Sequence, residues 1–361
     1  MTVGNGREFL SIPGPTNIPD AVLQAMHRPA IDIYSGDMVD LTRTLLEDLP
    51  RMFGTSGRTF IYAANGHGGW EAAVTNVLSR GETVLVLESG VFAVGWGDMA
   101  RMLGVKVEVL KGDWRRAVNP EAVAQRLATD TAHEIKAILV VQIDTASGVV
   151  NDIPAIRRAI DSVGHPALLM VDCVASLGCM PFEMDAWKID VAMAGSQKGL
   201  MTPPGLAFVA ANERAIATHQ KADLRTRYWD WTFRMGEVHY QKYGGTPPQH
   251  LLFALRKALD LLLAEGLRRA VRQGVPHRPH GPRERADDVR GARLPRDGAR
   301  GARHPPRRGR GAGRRGVSGA GGSLTDGRAT VRPCQSPVSR SRCAGRSRTA
   351  APSATPGPTK S

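Results

Sequence analysis

Cysteine is scarce in this chain, with four residues among 361. Cys173 and Cys179 lie in or near apolar segments, and no pair of cysteines has the spacing to histidines that metal sites show. The sequence therefore offers no candidate metal site. The simplest interpretation of the cysteine content is a reduced, cytoplasmic protein.

Long hydrophobic runs are also missing. No stretch reaches the roughly 18 consecutive apolar residues that a membrane span needs. The first 17 residues, MTVGNGREFLSIPGPTN, contain no basic region followed by an apolar run of signal-peptide length. The sequence therefore predicts neither a membrane-spanning helix nor a secretory leader.

Large hydrophobic residues almost vanish from residues 268–361, which contain no Ile, Phe, Met, Trp or Tyr and two Leu. Such a segment cannot bury enough apolar surface to offset its chain entropy, so we expect it to be disordered as written. Two explanations stay open, a basic tail that binds nucleic acid and a shifted reading frame in a GC-rich gene. The abrupt change of composition favours the shifted frame, so nucleic acid is not the partner we expect.

The formal net charge of +14 is confined to this same segment. Residues 268–361 hold 22 Arg and one Lys against five acidic residues, a net charge of +18. Residues 1–267 keep 25 basic and 29 acidic side chains, a net charge of −4. The overall basicity therefore gives no information about what the folded part binds.

Short apolar runs alternate with helical patterns between about residues 59 and 210. Several runs are almost entirely apolar, which is typical of strands covered on both faces by helices. The chain is therefore predicted to be α/β, with a mostly parallel seven-stranded sheet. The predicted strands are 59–63, 83–87, 105–110, 137–142, 167–171, 190–194 and 206–210. The helical patterns include 70–79, 120–127 and a long helix over 249–265 that Gly266 should end.

Lys198, in the sequence Gly-Ser-Gln-Lys-Gly, comes just after the predicted strand 190–194. In parallel sheets, ligands bind beyond the carboxyl ends of the strands. A lysine that forms a Schiff base must first lose its proton, and partial desolvation lowers its pKa. The alternative is an ordinary solvated lysine in a loop.

Asp172 directly follows the apolar strand 167–171 and precedes Lys198 by 26 residues. A carboxylate at the end of a buried strand is costly unless it is paired. In enzymes that use pyridoxal 5′-phosphate (PLP), an acid pairs with the protonated pyridine nitrogen of the cofactor. An aspartate that only caps the next turn is the alternative, but two such residues at successive strand ends favour the PLP interpretation.

A glycine-rich turn, Asn65-Gly-His-Gly-Gly-Trp70, joins the first predicted strand to a helix. Small residues at a helix N-terminus expose backbone N–H groups that can bind an anion such as the cofactor phosphate. Ordinary turn chemistry is the alternative. The position of the turn, directly between a strand and a helix, favours the anion site.

Taken together, these segments resemble the class V (fold-type I) PLP-dependent aminotransferases, specifically the serine–glyoxylate and alanine–glyoxylate group. The resemblance runs from Pro13 to about Gly266. Its motifs are PGPTN (13–17), NGHGGWEAA (65–73), GVFAVGW (90–96), DTASGVVND (144–152), VDCVASLG (171–178), AGSQKGLMTPPGL (194–206) and YGGTPPQHLLFALRKAL (243–259). The lysine motif followed by Pro-Pro-Gly is highly specific to this group.

The resemblance implies a PLP-binding large domain over residues 21–267, after an N-terminal arm at 1–20 and before the tail at 268–361. Lys198 would form the aldimine and move the substrate proton, and Asp172 would hold the pyridine nitrogen. The implied cofactor-binding residues are Asn65, Gly66, His67, Trp96, Thr145, Asp172, Gln197, Lys198, Tyr243 and Thr246. The first three would form the phosphate-binding turn, with help from Gln197.

The remaining implied roles concern the ring and a second subunit. Trp96, or as a second choice Phe92, would lie over the face of the PLP ring, and Thr145 would reach its phenolic edge. Tyr243 and Thr246 would bind the phosphate of a neighbouring subunit, which implies a homodimer with shared sites. Ordinary packing of Trp96, and a polar turn at 243–246, are the alternatives.

The function implied by the resemblance is transfer of an amino group from serine, alanine or aspartate to glyoxylate, giving glycine. The chain has Ile33-Tyr34 where the family usually has His-Arg, and Ile143-Asp144 where Asn-Glu is usual. No arginine for the substrate carboxylate can be named, because nothing in 268–361 resembles the family's C-terminal small domain. The alternatives are a catalytically impaired, frame-shifted pseudo-enzyme and another class V chemistry such as cysteine desulfuration.

Overall fold

A computed structural model describes residues 9–272, and the side chains of residues 9–265. Its strands are β1 (Arg58–Tyr62), β2 (Thr83–Leu87), β3 (Lys106–Leu110), β4 (Ile135–Val141), β5 (Ile143–Asp144), β6 (Val149–Val150), β7 (Leu168–Asp172), β8 (Val191–Gly195) and β9 (Ala207–Ala211). Seven of them form one sheet in the order β1-β9-β8-β7-β4-β2-β3, and β5 pairs with β6 in a separate hairpin. Each strand of the large sheet lies within two residues of its predicted position.

The five strands β3, β2, β4, β7 and β8 run parallel to one another, and β9 pairs antiparallel with both β8 and β1. The prediction of an α/β fold with a mostly parallel seven-stranded sheet is confirmed. The helices are α1 (Asp20–Met26), α2 (Asp37–Phe53), α3 (Gly66–Val77), α4 (Val91–Met102), α5 (Pro120–Ala128), α6 (Ile153–Ser162), α7 (Glu213–His219), α8 (Trp231–Met235) and α9 (Gln249–Arg272), with a 3-10 helix at His239–Tyr243.

The hydrophobic core lies on both faces of the sheet, which explains why the central strands are almost entirely apolar. In β4, Ile138 and Val140 pack into one cluster together with Leu45 and Leu49 of α2. Leu139 and Val141 point the other way, into a cluster formed with α3 and α4. Successive strand residues face opposite sides, so the central strands of a sheet covered on both sides have few positions for a polar residue. The edge strands β1 and β3 are less buried and carry Arg58, Lys106 and Glu108.

Two helix boundaries differ from the prediction. Helix α3 begins at Gly66 rather than Trp70, because Asn65 caps the first turn and lets the glycines enter the helix. Helix α9 continues through Gly266 to Arg272. A glycine costs only about 1 kcal/mol relative to alanine inside a helix, which is not enough to end it.

The tail predicted to be disordered began at residue 268, but residues 268–272 belong to helix α9, so the prediction is wrong for these five residues. The rest of the predicted disorder, the shifted frame and the missing small domain lie outside the described residues, from residue 273 onward. The predicted domain boundaries stay predictions. Among the described helices, none is both long enough and apolar enough to cross a membrane.

Candidate active site

A cavity of about 330 Å³ opens beside the carboxyl ends of β4, β7 and β8. It collects seven of the ten predicted cofactor-binding residues, which are Asn65, Gly66, His67, Thr145, Asp172, Gln197 and Lys198. The other residues that line it are Gly14, Pro15, Trp70, Phe92, Val141, Ile143, Val174, Ala175 and Pro204. Residues more than 180 positions apart in the chain therefore meet at the edge of the sheet where ligands of parallel sheets bind.

Lys198 lies in the turn after β8, where its side chain is partly buried. Its Nζ donates a hydrogen bond of 3.0 Å to the carbonyl oxygen of Pro13. Burial lowers the pKa of the Lys198 amine, while the negative charge of Asp172 raises it to a lesser extent. The amine therefore loses its proton more readily than a solvated lysine does, which a nucleophilic lysine requires.

Asp172 is the last residue of β7 and is almost completely buried. One carboxyl oxygen accepts a hydrogen bond of 2.6 Å from the Trp70 indole N–H, and the other accepts one of 2.7 Å from the backbone N–H of Val174. Both donors are neutral. Burial raises the pKa of the Asp172 carboxyl to about 6, and the charge of Asp144 contributes to the rise. A cationic ligand atom beside this carboxyl would compensate its charge and favour its ionised form.

Asn65 is the N-cap of α3, and its side-chain oxygen accepts hydrogen bonds from the backbone N–H groups of His67 (3.1 Å) and Gly68 (3.3 Å). Gly66 is buried in the first turn, where an added Cβ would lie 3.2 Å from Val174. The absence of a side chain at Gly66 thus lets the first turn of α3 pack closely against Val174 at the cavity wall. This geometry presents the positive end of the α3 dipole to the cavity, where an anionic group is favoured.

Gln197 lies next to Lys198 and also lines the cavity. Its buried side-chain oxygen has no hydrogen-bond partner in the structure. Buried polar atoms are usually paired, so an unpaired one at a cavity wall is consistent with a polar ligand there. Thr145, just after β5, lines the same cavity.

The structure corrects the role predicted for Trp96. Its side chain is fully buried and stacks on Trp70, with ring centroids 6.1 Å apart and planes 12° apart, and it does not line the cavity. Phe92, the second choice, does line the cavity from the first turn of α4. Because one helical turn advances about 5.4 Å, the residue four positions later on the same face lies behind the cavity wall. Trp96 instead supports Trp70, the residue that holds Asp172.

Tyr243 and Thr246, predicted to serve a neighbouring subunit, do not line the cavity of their own chain. Tyr243 is buried and its hydroxyl lies 2.7 Å from the Thr42 hydroxyl, while Thr246 is exposed on the surface. Thr246 is thus accessible to a second chain, whereas Tyr243 is turned inward in this monomer.

The sequence analysis assigned no role to Trp70 and Val174, which donate hydrogen bonds to Asp172, or to Asp144, which lies behind the cavity wall. Asp144 is fully buried, and its carboxylate accepts a hydrogen bond of 3.0 Å from the backbone N–H of Ala93 in the first turn of α4. It thereby fixes the helix end that carries Phe92. Each of the three stands inside a motif quoted above, but side-chain direction, which only the fold supplies, decides their roles.

The described residues contain no group of three or more His, Cys, Asp or Glu that could hold a metal ion. Within the same residues, Cys173 and Cys179 are free thiols. The part of the cavity lining formed by residues 9–265 includes no arginine, so the structure adds no candidate for binding the substrate carboxylate.

Comparison with known proteins agrees with this geometry. The family described as "Aminotransferase class-V" matches residues 9–274. A serine–glyoxylate aminotransferase of Methylorubrum extorquens is 44% identical over 73% of this chain and 67% of its own length, and an L-aspartate–glyoxylate aminotransferase of Paracoccus denitrificans is 39% identical over 71% and 65%. The crystal structure of an alanine–glyoxylate aminotransferase from Nostoc sp. superposes with a TM-score of 0.67, at 28% identity over 76% of this chain and 72% of that one.

The chain spans about two thirds of the length of the curated relatives that it matches. The matched region contains the whole seven-stranded sheet and every described residue of the cavity. On the strength of the family match and the identity to these relatives, the chain belongs to the class-V aminotransferase family.

Proposed function

We propose that the chain is a PLP-dependent aminotransferase in which Lys198 carries the cofactor. The main support is that Lys198 and Asp172 line the same cavity. Asp172 ends β7, and Lys198 lies in the turn after the neighbouring strand β8. Burial lowers the pKa of the lysine amine and raises that of the aspartate carboxyl. Perturbed groups that share a cavity are candidates for catalysis on physical grounds.

The residues around the cavity fit PLP. Asp172, with two neutral hydrogen-bond donors, would hold the protonated pyridine nitrogen. The N-terminal turn of α3, with Asn65, Gly66 and His67, and the amide of Gln197 would bind the phosphate. Phe92 would lie over one face of the ring, and Thr145 would reach the phenolic edge.

The bound cofactor would supply an electron sink for a carbanion at the substrate Cα. Lys198 would move the proton at the substrate Cα, first as a general base and then as a general acid. Burial lowers the pKa of this lysine, which favours the neutral amine that the first of these steps needs. Asp172 would keep the ring nitrogen protonated throughout.

We propose a small amino acid (serine, alanine or aspartate) as the donor and glyoxylate as the acceptor, which yields glycine. The relatives support this range, because they include serine–glyoxylate and L-aspartate–glyoxylate aminotransferases. A homodimer with shared sites is part of the same proposal, supported by the exposed position of Thr246. The cytoplasmic location expected from the cysteine content stays a prediction.

The alternatives receive less support. A cysteine desulfurase needs a mobile, reactive thiol at its site. Cys173 is fully buried, its Sγ donates to the carbonyl of Met193 at 3.1 Å, and burial raises its pKa. Cys179 is exposed but does not line the cavity. A pseudo-enzyme is expected to have lost part of its site. Lys198, Asp172 and the phosphate turn are instead all present on one cavity.

A half-reaction screen tests the proposal. The purified full chain is loaded with PLP, mixed with single amino acids, and followed by the visible absorbance of lysine-bound cofactor. Serine, alanine or aspartate should bleach the band, and Lys198→Ala should never show it. The exposed Lys188→Ala serves as the control and should behave as the wild type. If no amino acid bleaches the wild-type band, the transaminase proposal is wrong for this chain.

A further inference from the structure

The segment from Leu10 to Asn17 forms a closed loop beside the cavity, and the side chain of Asn17 closes it. The Asn17 amide N–H donates to the carbonyl of Leu10 at 2.7 Å, and its oxygen accepts from the Leu10 N–H at 3.0 Å. One side chain therefore satisfies both backbone groups of a residue seven positions away. We call residues 10–17 the strap.

The strap contacts the active-site lysine and its neighbour directly. The Pro13 carbonyl accepts a hydrogen bond of 3.0 Å from Lys198 Nζ, and the backbone N–H of Thr16 donates to the Gln197 carbonyl at 2.9 Å. Gly14 fits between these two contacts with no space to spare, because an added Cβ would lie 2.5 Å from Lys198 Nζ. Pro13 and Thr16, which contact Lys198 and Gln197, thus belong to the same short, closed loop.

We propose that Asn17 is a positioning residue that closes the strap and so holds the Pro13 carbonyl against the Lys198 amine, limiting access to that amine. The proposed role of this contact in the enzyme rests on the proposed function of Lys198. The contact itself is independent of that function. Asn17 does not line the cavity, so its influence on the lysine passes through the strap.

Three observations support a role beyond local loop structure. Leu10 and Ile12 are exposed, so the strap is not held by burial of its own apolar side chains. The strap contains no helix or strand that would fix its shape. Third, the two Asn17–Leu10 hydrogen bonds join the ends of the strap, so their loss should free Pro13 to move away from Lys198.

The test uses the cofactor-free full chain, so that its outcome does not depend on PLP. Acetic anhydride modifies the Lys198 amine, and mass spectrometry gives the rate of acetylation of the peptide that contains it. Hydrogen exchange of the peptide covering the strap reports whether the loop has opened. Asn17→Ala is compared with Asn17→Asp, which can still accept from the Leu10 N–H, and with Asn119→Ala, which removes a similar side-chain cap from the distant helix α5.

The proposal predicts that Asn17→Ala accelerates both strap exchange and Lys198 acetylation by about tenfold, the effect of losing one to two net hydrogen bonds. Asn17→Asp should give a smaller increase of about threefold, and Asn119→Ala none at Lys198. A strap that exchanges faster while Lys198 acetylation is unchanged overturns the proposal, and so does no change in either rate. If Asn17→Ala fails to fold, the same criteria apply to Asn17→Asp.

The proposed transaminase activity fails by a different result. If wild-type chain supplied with PLP develops no lysine-bound cofactor, the function is wrong while the acetylation rates still decide the role of Asn17. If the cofactor binds and the acetylation rates do not differ between variants, the function stands and the strap proposal is wrong.

Discussion

Asp172 is the residue whose surroundings differ most from those of an ordinary aspartate. Burial raises the pKa of its carboxyl from 3.8 to about 6, although two hydrogen bonds oppose the rise. The folded chain therefore holds a proton on Asp172 more tightly than the unfolded chain does. Protonated Asp172 therefore stabilises the folded chain at low pH, and this stabilisation is lost as the pH rises through about 6.

Replacing Asp172 by Asn removes this titration, which gives a prediction for the cofactor-free protein. The free energy of unfolding of Asp172→Asn, minus that of the wild type, should increase by about 2 kcal/mol between pH 4 and pH 7. Urea unfolding at a series of pH values measures the difference, and the exposed Asp37→Asn is the control. Parallel pH profiles of wild type and Asp172→Asn would show that the carboxyl is not buried as described.

Helix α4 shows why the sequence could predict the site only in part. The motif GVFAVGW offers Phe92 and Trp96 on one helical face, and the family resemblance implied Trp96 as the first choice to cover the ring and Phe92 as the second. The depth of the helix against the sheet, set by Asp144 bonding to the Ala93 N–H, places Phe92 at the cavity and Trp96 behind Trp70. Helical spacing fixes the face of a residue but not its distance from a ligand.

Substitutions in α4 separate the two aromatic roles. Phe92→Leu should weaken PLP binding by about 0.5–1.5 kcal/mol, the contribution of aromatic stacking, and leave stability nearly unchanged. Trp96→Leu should lower the free energy of unfolding by about 2–4 kcal/mol, because it leaves a cavity in the core. Cofactor titration and urea unfolding of the cofactor-free variants give the two quantities. If Trp96→Leu weakened PLP binding and Phe92→Leu lowered the free energy of unfolding instead, Trp96 would be the residue that stacks on the ring.

The strands were predicted well because each is short and most are largely apolar, as expected for strands buried on both faces. Helix ends were predicted less well. The start of α3 depends on the Asn65 cap, which is hidden in a run of glycines, and α9 passes Gly266 because one glycine does not end a helix. Asp172 and Lys198 line one cavity because parallel strands bring their carboxyl ends to one edge, while their roles toward PLP stay predictions.

At the scale of the whole molecule, the net charge of +14 is a poor guide to function. It comes from residues 268–361, while residues 1–267 carry a net charge of −4. The site depends on residues from the strap, α3, β7 and the turn after β8, and we propose that it also depends on a second chain. Neither composition nor periodicity could have predicted the contribution of the strap, because it lies in irregular structure.

Mixed dimers test whether two chains share one site. Thr246→Glu should weaken PLP binding at least tenfold by placing a carboxylate near the phosphate, and Lys198→Ala should abolish covalent binding. When the two variants are unfolded and refolded together, some dimers combine an intact Lys198 from one chain with an intact Thr246 from the other. These sites should recover the wild-type affinity for PLP. No recovery beyond that of the separate variants would show that Thr246 does not serve the neighbouring site.

The central claim is that the Lys198 amine bonds covalently to PLP. The most direct measurement reduces the PLP-loaded full chain with borohydride and locates the pyridoxyl group by mass spectrometry of the digested protein. The account predicts one adduct on the peptide containing Lys198, and none there in Lys198→Ala. An unmodified Lys198 in a folded, cofactor-supplied sample, or an adduct on another lysine, would contradict it.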